Sequence, residues 1–433
     1  MLRRCCRGRR WGRLLTTGTG ALALTLGVGL LPAPAGAAPI ITVVTTVVTE
    51  GATRADQRIA RKLTSRVDAP RLGDYVTGLV MDRKKGRVVW QQRGDSQRLP
   101  ASTTKLVTAL AALRTFGTDK RFSTTVVQGA RRRQVVLVGS GDPELRRWQL
   151  GRLANRTTTA LREGDRRKVT LLVDDSKFPA PTLATGWSPY YYPHEIVPVR
   201  ALGLHGREVM DSALDAGRFF ARALERRGIA VSAVRREQRP VGVKELARVR
   251  GFRLASIVRR MLLVSDNQDA EHLLRLVALG NDQPATWAGS NAAVRTVLAK
   301  LDVPLAGIAL YDGSGLSRSD RLTARNLADV LQAALSPYRG KIRAAFLAAL
   351  PVAGVSGTLG ADYLRYVTEP TSCARGKLQG KTGSLRDVVT LAGVTTARDG
   401  REKVWAFLVY GQPAELATRR AVDKLATTVQ GCW

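Results

Sequence analysis

Apolar positions along the chain follow two periods. In ADQRIARKLTSRV (residues 55–67) they recur three and four apart, which predicts a helix. YVTGLVMD and RVVWQQ (75–82 and 87–92) flank the turn RKKG and predict a β-hairpin. Leu106, Val107, Leu110, Leu113 and Phe116 return to helical spacing, and Gly117 closes the run. FSTTVV, RQVVLVGSGDPEL and KVTLLVDDSKF read as strands, separated by one helical segment, WQLGRLANRTTTALREG, and left through the loop-rich GWSPYYYPHEIVP. Helical patterns follow in SALDAGRFFARALERRGI, AAVRTVLAKL and TARNLADVLQAAL. LASIVRRMLLVSDNQDAEHLLRLVAL is also helical, with a polar break at Ser265-Asp266-Asn267. VVTLAGVTT, the turn ARDG and VWAFLVY predict a closing hairpin, and ELATRRAVDKLATTV a last helix.

Strands at both ends around a helical middle predict an α/β protein of the α+β type. One antiparallel sheet is built from both chain ends and carries helices on it. Residues 38–118 and 210–433 would form this main domain, and residues 119–209 a short α/β domain inserted into it. No internal repeat is present. Residues 38–54, APIITVVTTVVTEGATR, fit an extra edge strand or an extended leader.

The N-terminus changes how the charge is read. MLRRCCRGRRWGR has six arginines and no acid, and an apolar run follows that ends in Ala35-Gly36-Ala37. This is the pattern of an export signal over residues 1–37, or of a membrane anchor if it stays uncleaved. The chain carries 69 Lys+Arg against 35 Asp+Glu, a net charge of +34, and cleavage after Ala37 leaves +28. In a cytoplasmic protein that excess would suggest nucleic acid. In an exported one, anionic wall polymers or a membrane surface are the fitting partners, and nucleic acid is set aside. Cys5 and Cys6 lie in the signal. Cys373 and Cys432 remain, an even pair that suits a disulfide or two buried thiols.

The candidate chemistry begins at Ser102-Thr103-Thr104-Lys105, where the helix of Leu106 starts. Three residues apart on a helix, Ser102 and Lys105 share a face. A hydroxyl is a poor nucleophile until a base takes its proton. A lysine serves as that base when burial or a second cation drives it neutral. Alone, the pair also fits an N-cap and a solvated lysine. Two further elements occur once each: Ser265-Asp266-Asn267 and Lys381-Thr382-Gly383. The three together, in this order, are the signature of serine β-lactamases and penicillin-binding proteins. Ser265 suits a proton shuttle, and Asn267 can bond both Lys105 and a substrate amide. Lys381 and Thr382 suit a terminal carboxylate. Gly383 leaves an extended substrate free to lie along the strand, and the amides of Ser102 and Ser384 suit an oxyanion.

With these residues in place, the chain resembles the class C low-molecular-mass penicillin-binding proteins, the D-alanyl-D-alanine carboxypeptidase/endopeptidase family. LPASTTKLVTALAALRTFG, GSGDPEL, DDSKF, SDNQDAEHLLR, YDGSGLSRSDRLTARNL, LPVAGVSGTL and GKLQGKTGSLRDVVTLAGVTT resemble its blocks in order. The resemblance implies a penicillin-recognising serine acyltransferase fold with an insertion between the Ser-x-x-Lys and Ser-x-Asn elements. It implies removal of the terminal D-alanine from peptidoglycan stem peptides, sometimes cleavage of cross-bridges, no cofactor or metal, and inhibition by β-lactams. It makes Ser102 the acylated nucleophile and Lys105 its base, with Ser265, Asn267, Lys381 and Thr382 completing the site. One departure stands out. Ser102 and Ser265 are only 163 residues apart, whereas the family commonly carries a longer, nested insertion.

Other features read more plainly. Asp266 caps a helix, and Asp312-Gly313-Ser314-Gly315 is a tight turn. His194, His205 and His272 are too few and too badly spaced for a metal site. The trio leaves two rivals to a carboxypeptidase of the periplasm or cell wall: a β-lactamase in the same fold, and a non-enzymatic wall-binding scaffold that kept it.

Overall fold

The computed structural model describes residues 52–433. The expected export signal and the stretch from residue 38 to 51 lie outside them. Among the described residues no helix is long and apolar enough to cross a membrane.

The chain opens with α1 (Arg54–Val67), the hairpin β1 (Val76–Asp82) and β2 (Arg87–Gln92), and α2 (Thr104–Phe116). β3 (Ser123–Gln128), β4 (Gln134–Val138), α3 (Arg147–Glu163), β5 (Lys168–Asp174), α4 (Ser212–Glu225), β6 (Ala230–Arg236) and β7 (Glu245–Arg250) follow. A helical stretch comes next: α5 (Leu254–Val264), α6 (Asn267–Leu279), α7 (Trp287–Ala299), α8 (Ala324–Ala334) and α9 (Gly340–Ala349). The chain closes with β8 (Leu378–Leu385), β9 (Val388–Thr396), β10 (Glu402–Tyr410) and α10 (Leu416–Gln430).

The first sheet has the order β2-β1-β10-β9-β8 and is antiparallel throughout. It unites the two chain ends as the pattern predicts. Alternation along its strands sorts the side chains onto two faces. Leu79, Met81, Ala392, Val394, Val404, Ala406 and Leu408 pack toward α2, α5, α6 and α8. Val80, Val389, Leu391, Trp405, Phe407 and Val409 pack toward α1 and α10. On that second face the buried Lys403 holds α1 to the sheet: its Nζ lies 2.8 Å from Asp56 Oδ1 and 2.9 Å from Asp82 Oδ2. Asp56 also closes the capping box of Thr53 at the start of α1. Cys373 and Cys432 form a disulfide across 59 residues. It pins the segment before β8 to the end of α10 and contributes about 4 kcal/mol in the chain-entropy account.

The second sheet has the order β6-β5-β4-β3-β7 and is mixed, with β4, β5 and β6 parallel. Its extent corrects the boundary expected at residue 209. α4 buries Ala213, Ala216, Phe220 and Leu224 against this sheet's core. β6 and β7 then complete it, so the insertion runs on to Arg250. Both missed strands are edges, with exposed arginines where a central strand carries apolar residues. The reading of RQVVLVGSGDPEL as one strand shortens in the same way, to Gln134–Val138.

Candidate active site

α2 positions the first two residues. A 3-10 turn at Ala101–Thr103 leads into it, and Ala101 holds a left-handed φ of 46° while fully buried. Every residue from Thr104 to Leu113 is buried, because α5, α6, α7, α8 and α9 all pack around this helix. Ser102 stays partly open at its start.

Lys105 Nζ lies 2.9 Å from Ser102 Oγ, 2.8 Å from Asn267 Oδ1 and 2.7 Å from the Ser314 carbonyl oxygen. Burial pushes the Lys105 amine down to about 8, although the carboxylates of Asp312, Glu271, Asp266 and Asp269 pull the other way. Lys381 is equally buried, and its Nζ lies 2.9 Å from Ser265 Oγ and 2.7 Å from the Thr382 carbonyl oxygen. Burial first, and the charge of Lys105 second, hold its pKa well below the ordinary lysine value. The structure therefore draws on three distant parts of the sequence to build two bonded sets, Ser102–Lys105–Asn267 and Ser265–Lys381, near enough that the charge of Lys105 acts on Lys381.

The local fold explains how. α5 ends at Val264, and Ser265 takes a left-handed φ of 63°, which turns the chain sharply into α6. Asp266 caps α6 by accepting from the Asp269 amide at 2.9 Å, the role expected of it. Asn267 Nδ2 donates to the Glu195 carbonyl at 2.9 Å, so its Oδ1 is left facing Lys105. β8 is an edge strand of the first sheet and carries Lys381, Thr382, Gly383 and Ser384. Thr382 Oγ1 is 2.7 Å from Thr358 Oγ1, and Ser384 is exposed. Gly383 also has a packing role within the protein. A Cβ there would stand 2.1 Å from Thr390 Oγ1 and 2.9 Å from both the Pro100 carbonyl and the Ser102 amide. The missing side chain makes room for the turn of Ser102.

The turn at Asp312 does more than reverse the chain. Asp312 accepts from the amides of Gly315 and Ser317, both at 2.7 Å, and from Trp187 Nε1 at 2.6 Å. Glu271, fully buried, accepts from the amides of Gly313 at 3.0 Å and Ser314 at 2.7 Å. Burial pushes the Glu271 carboxyl up to about 8. Together these bonds aim the Ser314 carbonyl at Lys105. A Cβ on Gly315 would lie 1.9 Å from the Ala101 carbonyl oxygen, at a φ of +81°. Sequence reasoning missed this contribution. The quoted block YDGSGLSRSDRLTARNL was its signal, but a backbone carbonyl has no residue type to read.

Arg260, on α5, meets three carboxylates behind the Ser265 turn. It pairs with Asp266 at 2.8 Å, with Glu144 from the inserted segment, and lies 3.7 Å from Asp269. Glu144, His205 and Asp269 bring their ligand-type atoms within 4.8 Å of one another, which spacing along the chain did not suggest. The guanidinium of Arg260 supplies positive charge to that cluster. A cavity of about 330 Å³ opens beside it, lined by Ser265, Asn267, Glu195, Arg260, His205 and His272.

Comparison with known proteins decides the family. Residues 59–202 and 197–429 match the model of the D-Ala-D-Ala carboxypeptidase 3 (S13) family. The chain belongs to that family. It is 38% identical over 386 residues to Carboxypeptidase Rv3627c of Mycobacterium tuberculosis, covering 84% of this chain and 81% of that protein. It is 33% identical over 395 residues to Carboxypeptidase DacB of Mycolicibacterium smegmatis, covering 86% and 84%. Its fold is that of penicillin binding protein 4 (dacB) from Haemophilus influenzae, with a TM-score of 0.73 at 21% identity over 84% of this chain and 97% of that one. The resemblance read from the motifs is thus borne out, and with it a serine D-Ala-D-Ala carboxypeptidase on a penicillin-recognising fold.

Proposed function

We propose that this enzyme removes the terminal D-alanine of peptidoglycan stem peptides through an acyl-enzyme on Ser102. The observation that carries the assignment is the fully buried Lys105 amine, 2.9 Å from Ser102 Oγ and lowered to about 8.

The charges supply the trigger. Lys105 and Lys381 are both buried, and each disfavours the other's charge. A substrate carboxylate docking at Lys381 and Thr382 stabilises the cation at Lys381. That cation then favours the neutral form of Lys105. The neutral amine accepts the Ser102 proton as Oγ attacks the carbonyl between the two D-alanines. The developing oxyanion is met by the amides of Ser102 and Ser384. Gly380 donates outward from β8 to the Pro351 carbonyl at 3.0 Å. By alternation Ser384, four residues on, presents its amide along the same outer edge. When the tetrahedral intermediate collapses the C–N bond breaks. The proton held at Lys105 reaches the leaving amine through Ser265, whose Oγ lies 2.9 Å from Lys381 Nζ. Water then attacks the ester, its proton passes to Lys105, and Ser102 Oγ leaves with a proton returned from it.

The substrate places the enzyme outside the cytoplasm, in keeping with the signal expected at residues 1–37. The charge of +34 suits retention on anionic wall polymers or a membrane surface. Release of D-alanine from a defined pentapeptide and from a cross-linked dimer tests the activity and its balance. The proposal requires release by the wild type and none by Ser102→Ala. Rapid nitrocefin turnover would favour a β-lactamase instead.

A further inference from the structure

α3 and β7 meet in a groove of about 450 Å³ on the inserted unit, lined by Trp148, Arg152, Arg156, Arg248, Val249 and Arg250. Its construction is specific. Trp148, Arg152 and Arg156 are spaced four apart and so form one row along α3, over about 12 Å. Arg248 and Arg250 project from alternate positions of the edge strand β7. Two side chains of α3 cover that edge: Arg156 bonds the carbonyl of Arg248, and Gln149 Nε2 bonds that of Arg250 at 3.1 Å. This covering fixes helix and strand together, so the groove is preformed.

Trp148 is the unusual member. It is 54% exposed, an uncommon state for so large an apolar surface. One edge is steadied by Phe252, with ring centroids 6.5 Å apart at 81°. The guanidinium of Arg152 lies 5.2 Å from its ring centroid. The charge is equally one-sided. Some surface arginines meet acids, as Arg207 meets Asp215 and Arg318 meets Asp387. In the groove, among the described residues, only Arg248 has such a partner, Glu245. Arg152, Arg156 and Arg250 are exposed cations without one.

We propose that this groove binds a phosphodiester-linked glycan of the cell wall. A sugar ring offers a flat, weakly polar face to the exposed indole. The guanidinium forks match phosphate oxygens in geometry and charge. Both charges persist at any pH the wall reaches, so the contact needs no protonation event. The groove would hold the enzyme on the wall while the separate Ser102 site works on stem peptides. The inference rests on the extracytoplasmic reading above but not on the acylation chemistry.

The test measures binding of the intact enzyme to a soluble phosphodiester-linked glycan, with neutral dextran and phosphatidylglycerol vesicles as controls. The variants are Trp148→Ala, the pair Arg152→Glu/Arg250→Glu, and a charge-matched pair, Arg131→Glu/Arg133→Glu, on the exposed β3–β4 turn. Both groove variants should weaken glycan binding about ten-fold, and the matched pair less than two-fold. D-Alanine release from a soluble pentapeptide should be unchanged in all three, which reports folding and the catalytic reading separately. Equal weakening by the groove and matched pairs would overturn the proposal in favour of diffuse charge. So would an unaffected Trp148→Ala, or Trp148-dependent binding to the vesicles but not to the glycan.

Discussion

The Lys105 amine nitrogen stands 2.7 Å from the carbonyl oxygen of Ser314, a backbone group 209 residues away. This contact fixes the amine together with those to Ser102 and Asn267. It depends on a turn that Asp312 and Glu271 hold rigid. The proposed base is therefore placed by the helical middle of the chain as much as by its own helix.

Gly315 is where that turn touches the start of α2, at Ala101 and Thr104, beside Ser102. A methyl group there would overlap the Ala101 carbonyl at 1.9 Å and be held at a positive φ, a strained state for any other residue. Gly315→Ala should displace the Ser102 turn and slow acylation by a penicillin at least a hundred-fold, a loss typical of an ångström-scale misplacement. Stopped-flow labelling with a fluorescent penicillin measures this, with circular dichroism confirming the fold.

The pH profile follows from the amine. Lys105 must be neutral to accept the Ser102 proton, and its pKa is about 8. The acylation rate constant of the free enzyme should rise with pH through a limb near pH 8 and level off above it. A β-lactam with no carboxylate isolates this limb from the binding role of Lys381. A rate flat from pH 6 to 9 would argue against Lys105 as the base.

Arg260 acts at one remove, by holding Asp266 at 2.8 Å and so the left-handed turn at Ser265. Arg260→Gln should lower kcat about ten-fold with KM within two-fold, and Arg260→Lys should recover part of the loss. Because Glu144 bonds the same guanidinium, Glu144→Gln and Arg260→Gln should be non-additive in a double-mutant cycle. Steady-state kinetics on a soluble pentapeptide reads both.

His272 sets one part of the stability profile. It is fully enclosed and lowered to about 4, chiefly by burial. Nδ1 donates to the Gly141 carbonyl at 3.2 Å, and Nε2 accepts from Gln268 Nε2 at 2.8 Å. Gln268 Oε1 in turn accepts from the Val197 amide, which fixes the amide's orientation. The folded state thus keeps the ring neutral while the unfolded chain protonates it near 6.5. The stabilising contribution of the neutral ring is present above pH 6.5 and lost as pH falls toward 4, by up to about 3 kcal/mol. Burial raises Asp142 and Glu271, which act in the opposite sense, so the test is a difference. The stability gap between wild type and His272→Asn, from urea melts, should shrink between pH 7 and pH 4.

The candidate catalytic residues were legible because acylation demands particular side chains at fixed spacing. Ser102 and Lys105 share one helical face, and Ser265-Asp266-Asn267 and Lys381-Thr382-Gly383 announce their partners. The terminal sheet was legible through the alternation of β1, β9 and β10. β6 and β7 were not, since edge strands present arginines to water and break the apolar period. The carbonyls of Ser314 and Glu195 were hidden for another reason: any residue could supply them. The cluster of Glu144, His205 and Asp269 was hidden by topology, because a segment of the insertion folds back onto α6. The close packing of Gly383 against Pro100, Ser102 and Thr390 was hidden too, since it depends on how β8 meets the turn before α2.

The central claim is that Ser102 is the acylated nucleophile. Mass spectrometry of the protein after incubation with benzylpenicillin, followed by peptide mapping, tests it most directly. The account predicts one penicilloyl adduct, on the peptide containing Ser102, and none on Ser102→Ala. Folded wild-type protein with no adduct, or with the adduct on another residue, would contradict it.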